Sequence, residues 1–234
     1  GPPSEAFANA QRLYSEQQYR QAAVQFQRVI DGETRDFPAK VQEAQFFLGK
    51  TLYHLRYYQA ALAVFDEISL AGPFHNFYNE TLQWLVQLAT QLPDTAGITE
   101  KIGRYPLSQL DQFDQASASG GGERVSASAG AQRNAFDQLL YLMGRYKYDQ
   151  QDYETALELF GRVRSSSPRY ADALFYTGVT SVQLRRASPA INAFRSIIQG
   201  IDNGSIQSED EDRYRALAWI SLGRLYYTAA RRVG

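Results

Sequence analysis

The chain has 234 residues, of which 44% are hydrophobic and 21% are charged, and its net charge at pH 7 is −1. Such a composition is typical of a folded globular protein, and the nearly neutral balance gives no general attraction to nucleic acid or to an anionic membrane surface. Because the sequence contains no cysteine, disulfides, thiolate metal sites and cysteine nucleophiles are excluded.

Residues 3–72 contain the same spacing between a small residue and an alanine twice. A small residue is followed twelve positions later by alanine, in the pairs Ala10/Ala22 and Gly49/Ala61, and aromatic residues surround each pair at the spacing of amphipathic helices. Small residues allow two helices to approach closely, while aromatic side chains fill the space between layers. The pattern predicts two helical hairpins that stack on each other.

Residues 73–131 interrupt this pattern. An amphipathic stretch after Pro73 and a short helix after Pro93 predict a degenerate helical hairpin over residues 73–114. Residues 115–131 are rich in glycine, serine and alanine, so they cannot bury a core. We expect a flexible surface loop there, and a hinge or a partner-binding loop are the alternatives.

The spacing returns twice in residues 132–200, in two pairs that stand 34 residues apart: Gly144/Ala156 and Gly178/Ala190. Asp152 is a predicted N-cap of the second helix in the first of these hairpins. Ser188–Pro189 is the predicted start of the second helix in the next hairpin, because proline is well tolerated in the first helical turn. These signals predict two further hairpins.

The C-terminal region begins with an acidic connection over residues 201–212 and continues with an apolar, helical pattern over residues 213–234. Gly223 in this pattern has no alanine partner within the chain. We therefore expect the first helix of a truncated fifth repeat, in a native protein that continues further.

A fixed period in the thirties is typical of stacked repeats. The sequence resembles the tetratricopeptide repeat, a helix-turn-helix unit of 34 residues. The resemblance implies an all-α, right-handed solenoid of helical hairpins with one degenerate hairpin and one flexible insertion. The positions that carry it in the two most regular repeats are Gly144, Tyr148, Tyr153, Ala156, Phe160, Pro168, Leu174, Gly178, Ala190 and Phe194.

The sequence of residues 46–68 is similar to the sequences of tetratricopeptide proteins of the bacterial cell envelope. This resemblance implies a protein of the bacterial periplasm or one associated with the outer membrane, and a cytoplasmic location is the alternative. No apolar run reaches the roughly 18 residues that a membrane-spanning helix needs.

The sequence offers little for catalysis. The two histidines, His54 and His75, lie on different predicted elements and show no metal-site spacing. The three glycines at 120–122 lack the lysine and the preceding strand of a phosphate-binding loop, and no serine lies in a nucleophile elbow. We expect no enzyme, no cofactor, no metal site and no nucleic-acid binding.

The first helices carry the candidate binding residues, because the resemblance implies that one face of each lines a concave groove. Tyrosine and arginine on such a face suit a partner peptide or helix with apolar anchors. The alternative is that these side chains pack between neighbouring helices. The candidate partner-binding residues are Phe46, Lys50, Tyr53, His54, Tyr141, Arg145, Tyr148, Arg224 and Tyr227.

The predicted function is a protein–protein interaction scaffold that binds a partner peptide or helix in this groove, within a bacterial envelope assembly. Two alternatives remain at this point. The first is a structural subunit whose groove is filled by further C-terminal repeats of its own or by a second copy. The second is a recruiting segment of a larger enzyme. The sequence leaves the oligomeric state open.

Overall fold

The computed structural model describes residues 3–93, 97–119, 128–208 and 210–233, without the side chains of 115–119 and 232–233. These residues form twelve α-helices and one short 3-10 helix, and they contain no β-strand. The all-α solenoid of helical hairpins predicted from the sequence is confirmed. The chain divides into two compact units, Gly1–Val125 and Ser126–Gly234, which are described separately below.

Unit 1 begins with two hairpins and ends with a less regular group of helices. The first helix of each hairpin contacts the second, and the second packs against the first helix of the following hairpin. The elements are α1 (Glu5–Ser15), α2 (Tyr19–Ile30), α3 (Pro38–His54), α4 (Tyr58–Ala71), the 3-10 helix Gly72–Phe74, α5 (Tyr78–Gln91), α6 (Ile98–Gly103) and α7 (Gln109–Ser119).

The predicted loop over residues 115–131 needs correction at both ends. Residues 115–119 belong to α7, and residues 129–131 belong to the following helix α8 (Ala129–Asp149). Leu110 and Phe113 of α7 are buried, which favours a helix at its start, and its glutamine, alanine and serine residues continue that helix. Residues 120–127 of the predicted loop lie outside the described residues.

Unit 2 contains two hairpins and one long helix. The hairpins are α8 with α9 (Tyr153–Gly161), and α10 (Tyr170–Gln183) with α11 (Ala187–Asp202). Helix α12 (Glu211–Val233) packs on α11 and α10 through the buried residues Ala218 and Leu222. Helix α11 continues to Asp202, two residues into the connection expected from the sequence.

The four hairpins share one turn. Seven residues after the small residue, a non-glycine residue has a left-handed backbone with φ between 58° and 63°: Gln17, Arg56, Gln151 and Arg185. The N–H of the next residue donates to the carbonyl oxygen five positions earlier, at 2.8–2.9 Å. This bond satisfies a carbonyl that the helix end leaves free, and it stabilises the reversal of the chain.

The starts of the second helices follow from their caps. The Asp152 carboxylate accepts a hydrogen bond from the Thr155 N–H at 3.4 Å, which confirms its predicted role as the N-cap of α9. Helix α11 begins at Ala187, so the start predicted at Ser188–Pro189 was late. Pro189 still lies in the first turn, where no intrahelical partner for its missing N–H is needed.

Contact between a ring and a glycine holds three of the hairpins together. The rings of Phe65, Phe160 and Phe194 lie against Gly49, Gly144 and Gly178, and a β-carbon on these glycines would stand 2.5–2.6 Å from the Cε1 atom of the ring. Only glycine allows this approach, because real β-carbons do not come so close to other atoms. The partner alanines Ala61, Ala156 and Ala190 are fully buried beside these rings.

Candidate functional site

Four of the candidate residues lie together on α3 in unit 1. Lys50 is the most enclosed of them, with 5% of its surface exposed. Its ammonium nitrogen is 4.3 Å from the centroid of the Phe47 ring and 5.0 Å from that of Tyr14, and the rings of Phe46 and Trp84 follow at 5.5 and 5.6 Å. Four ring faces around one cation replace part of its hydration by cation–π attraction.

The side chains of the other three α3 candidates also contact neighbouring helices. Phe46 is buried and stacks on Phe77 with ring centroids 4.8 Å apart. His54 stacks on Tyr19, and its Nε2 atom lies 3.2 Å from the Tyr14 hydroxyl.

Tyr53 packs against Tyr58 and Trp84. Burial and then the Tyr58 hydroxyl raise the pKa of Tyr53. Tyr53 and His54 are half-buried and so reach the surface, whereas Phe46 and Lys50 contribute mainly to packing.

Helix α8 brings three further candidates together in unit 2. Tyr141 is buried, and its hydroxyl accepts a hydrogen bond from the Arg145 guanidinium at 3.0 Å. The same guanidinium lies over the ring of Tyr176 at 4.4 Å, and Tyr148 contacts Tyr153 and Tyr176. Arg145 and Tyr148 are half-buried.

Asp172 links these residues to α12. Its carboxylate accepts a hydrogen bond from the Tyr214 hydroxyl and forms an ion pair with Arg169 at 3.2 Å. Burial and then the Asp172 charge raise the pKa of Tyr141 to about 12, and burial and the hydrogen bond to Asp172 raise the pKa of Tyr214. The group ties α8, α10 and α12 together, and it is a structural link that the sequence analysis missed.

A cleft of about 450 Å³ opens in unit 2 between the end of α8, the second half of α10, the start of α11 and α12. Val179, Phe194 and Leu225 form apolar walls, and three arginines stand around them. The residues that line it are Tyr148, Val179, Val182, Gln183, Arg185, Arg186, Ala187, Phe194, Ser221, Arg224, Leu225, Thr228 and Ala229.

The three arginines of the cleft differ in their partners. Arg186 forms an ion pair with Glu154 at 2.6 Å. Among the described residues, no carboxylate pairs with Arg185 or Arg224. The cleft therefore combines an apolar interior with two guanidinium groups that are available to an anion.

The structure thus does not bring the nine candidates together in one site. Tyr148 and Arg224 line the cleft, and Tyr227 lies on another face of α12 with 65% of its surface exposed. The remaining candidates pack among the helices of their own unit, as described above. The sequence did not predict Arg185 as a site residue, because it belongs to a turn and the candidates lie on the faces of the first helices.

The histidines and carboxylates show no metal centre within the ranges that the structure describes. His75 instead has a local role, because its Nδ1 atom accepts the Phe77 N–H at 3.1 Å and its Nε2 atom lies 3.2 Å from the Gln45 side-chain oxygen. The described helices also include none whose length and apolar character would allow it to cross a membrane.

Comparison with known proteins identifies the family. The sequence model of the Tetratricopeptide repeat matches residues 7–74 and 141–205, which is more than half of the chain. These ranges contain α2–α4 and α9–α11 in full. A search of curated proteins found no match to this chain. Tetratricopeptide repeats generally mediate protein–protein interaction. The chain belongs to the tetratricopeptide repeat family.

Proposed function

We propose that the chain is an interaction scaffold, and not an enzyme, whose unit 2 cleft binds a partner peptide with an apolar side chain next to a carboxylate. The observation that carries the proposal is the cleft of about 450 Å³ with Arg185 and Arg224 at its edge. This volume lies within the range of about 300–1,000 Å³ that is usual for ligand sites.

The two parts of the cleft have different roles in this proposal. Val179, Phe194 and Leu225 take up the apolar side chain, whose burial stabilises the complex by about 25 cal/mol per Å² of area removed from water. Arg185 and Arg224 hold the carboxylate through charge-assisted hydrogen bonds, which fix its orientation. Tyr148 supplies an aromatic wall of the kind enriched at the centre of interfaces.

The proposal has two more specific parts, a second partner contact in unit 1 and a place of action in the cell, and both start from the sequence. Tyr53 and His54 provide a second contact for a partner in unit 1, because they are the α3 candidates that reach the surface. The place of action is a bacterial envelope assembly, and the resemblance of residues 46–68 supports it. Fractionation of the native cells with an antibody against the chain tests this location.

A photo-crosslink tests the cleft directly. A photoreactive amino acid replaces Val182, which lines the cleft and is 41% exposed. We expect it to form a covalent adduct with a partner protein in the native cells. The matched control carries the same group in place of Val24, an exposed valine on α2 in unit 1, and we expect no adduct there.

Charge reversal completes the test. The double variant Arg185→Glu with Arg224→Glu should abolish the Val182 adduct, because two repelling carboxylates replace the guanidinium groups. Arg20→Glu with Arg213→Glu changes the net charge equally at exposed sites outside the cleft and should preserve the adduct. An adduct that survives the cleft variant would refute the proposal, and an adduct of twice the chain mass would assign the cleft to a second copy.

A further inference from the structure

The turn between α4 and α5 presents an apolar knob on the surface of unit 1. Phe74, at the end of the 3-10 helix, is 91% exposed, and Leu70 in the last turn of α4 is 65% exposed. Pro73 is exposed as well. Among the large hydrophobic side chains that the structure describes, Phe74 has the highest exposed fraction. We call Leu70, Pro73 and Phe74 the apolar knob.

Hydrogen bonds fix the backbone around Phe74. The N–H of His75 donates to the carbonyl oxygen of Gly72 at 3.0 Å. The N–H of Asn76 donates to the side-chain oxygen of Gln42 on α3, also at 3.0 Å. An aromatic anchor on such a fixed turn loses little conformational entropy when a partner buries it, so its burial contributes more fully to binding.

The sequence around the knob is acidic. Residues 57–100 contain five acidic residues and no lysine or arginine. Glu67 is exposed and precedes Leu70 by three residues on α4, so the two side chains share one face of the helix. Glu80 is exposed in the first turn of α5. The knob is therefore an apolar group with carboxylates beside it.

His75 and Gln45 connect Glu67 to the turn. The Gln45 side-chain nitrogen donates to the Glu67 carboxylate at 3.0 Å, and the Gln45 side-chain oxygen lies 3.2 Å from His75 Nε2. Burial lowers the pKa of His75, so its ring is neutral at pH 7 and adds no positive charge next to Glu67. Phe74 and the Glu67 carboxylate are thus held within one hydrogen-bonded group.

Cations on the neighbouring elements pair with other carboxylates. Lys101 and Arg104 both contact Asp66, at 2.7 and 3.2 Å. Lys40 near the start of α3 pairs with Glu43 at 2.7 Å. These ion pairs leave the negative charge beside the knob available to a positively charged partner.

The cleft of unit 2 has the complementary character. The described residues that line it include three arginines and no acidic residue, and its volume of about 450 Å³ has room for an aromatic ring against Val179, Leu225 and Tyr148. The proposed function requires an apolar side chain next to a carboxylate, and the knob supplies both through Phe74 and Glu67. Opposite charges on the two surfaces favour their association.

We infer that the cleft of unit 2 binds the apolar knob of a second copy of this chain, so that copies assemble head to tail. The inference rests on the proposed function and names the partner of its cleft. Because the knob and the cleft are different surfaces, each contact leaves a free cleft on one copy and a free knob on the other. Contacts of this kind build open chains, or rings where the rotation closes, and not twofold dimers.

Sedimentation of the full chain at rising concentration tests the assembly. We expect the average mass to increase beyond that of a dimer, and to decrease when salt screens the charges. Phe74→Ser should weaken the association at least about tenfold, and it should fold normally because the ring is 91% exposed. The matched control Tyr57→Ser removes a ring that is 53% exposed at the other end of α4, and it should leave the association unchanged.

A mixture of two variants identifies both surfaces. Phe74→Asp keeps the cleft and loses the knob, whereas Arg185→Glu with Arg224→Glu keeps the knob and loses the cleft. Each variant should be monomeric alone, and their mixture should form 1:1 dimers that do not grow, because the remaining knob and cleft are both disabled. A mixture of Phe74→Asp with Phe74→Ser has no intact knob and should stay monomeric.

The photoreactive residue at position 182 locates the contact in the purified chain. We expect an adduct of twice the chain mass. Cleavage after glutamate should then show the link on the fragment of residues 68–80, which contains the knob. A link to any other part of the chain would contradict the inference.

The inference is also wrong if the chain stays monomeric at every concentration, if Phe74→Ser assembles as well as the unchanged chain, or if the complementary variants do not pair. A position-182 adduct with a different protein in the native cells, lost when Arg185 and Arg224 are reversed, would then still uphold the proposed function. The failure of the inference is thus distinguishable from the failure of the proposed function.

Discussion

The ring of Phe160 lies so close to Gly144 that a β-carbon at this glycine would stand 2.6 Å from Cε1 of the ring. The contact explains why the small residue and the alanine of each hairpin keep a constant spacing. Ala156 lies one helical turn before Phe160 on α9, and both are buried against α8. The constant spacing between the small residue and the alanine in the sequence thus results from a contact between two helices.

Gly144→Ala should destabilise unit 2 by about 1–3 kcal/mol, because the added methyl group forces the Phe160 ring or the helix to move. Urea denaturation followed by circular dichroism measures the change. Gly223→Ala is the matched control and should raise stability by about 0.5–1 kcal/mol, since this glycine has free space and alanine is the better helix former. Equal effects of the two variants would contradict the ring-on-glycine contact.

Gln151→Gly should stabilise the chain by about 1 kcal/mol, because residue 151 has a left-handed backbone with φ of 63° that glycine adopts without steric cost. Its neighbour Gln150 has φ of −80°, so Gln150→Gly should lower stability instead. Thermal unfolding of the two variants beside the unchanged chain distinguishes them. A lower melting temperature for Gln151→Gly would show that the side chain contributes more than the backbone strain costs.

The ion pair between Asp137 and Arg164 joins the middle of α8 to the segment that follows α9. Asp137 is 1% exposed and accepts hydrogen bonds from the Arg164 guanidinium at 2.6 and 3.0 Å and from the Arg164 N–H at 3.3 Å. Arg164→Met should cost about 2 kcal/mol of unfolding free energy, because it leaves a buried carboxylate without its cation.

The double variant Asp137→Leu with Arg164→Met should be more stable than Arg164→Met alone, since it removes the uncompensated charge as well. Urea denaturation of both single variants and the double variant gives the coupling. Additive losses would mean that the two side chains contribute independently.

Unit 2 should lose stability in strongly alkaline solution. Burial and the nearby Asp172 carboxylate raise the pKa of Tyr141 from its ordinary value of 10.0 to about 12. The unfolded chain releases this proton first, so the stabilisation is complete below pH 10 and is lost as the pH rises towards 12. Denaturation midpoints across this range should fall, and the fall should be smaller in Tyr141→Phe. The absorbance of tyrosinate at each pH reports the ionisation independently.

The hairpins were predictable because their contacts leave a regular local spacing. Gly144 and Phe160 are 16 residues apart, and the same distance separates Gly49 from Phe65 and Gly178 from Phe194. Helix α7 was not predicted, since its only strong apolar residues, Leu110 and Phe113, lie near its start, and the burial that marks them as part of a packed helix is not visible in the sequence.

The site was less predictable for a physical reason. An aromatic stripe at helical spacing has the same sequence pattern whether it lines a groove or packs between helices. The structure places Phe46 and Tyr141 in the core and leaves Tyr227 exposed, although all three arise from one pattern. The cleft includes Arg185, which lies in a turn and has a left-handed backbone. Nothing about an arginine in the sequence indicates such a turn, so its place in the cleft was not predictable.

The ring-on-glycine contacts also make the whole hairpin the unit by which this array can be shortened or lengthened. Each of them joins two helices of the same hairpin, so the deletion or duplication of one whole hairpin leaves the internal contacts of the others in place. A cut within a hairpin instead separates a ring from its glycine and exposes both. We therefore expect recombination to be tolerated better at the connections between hairpins, such as residues 31–37 and 162–169, where it would change the number of ring-on-glycine contacts and leave each remaining contact intact.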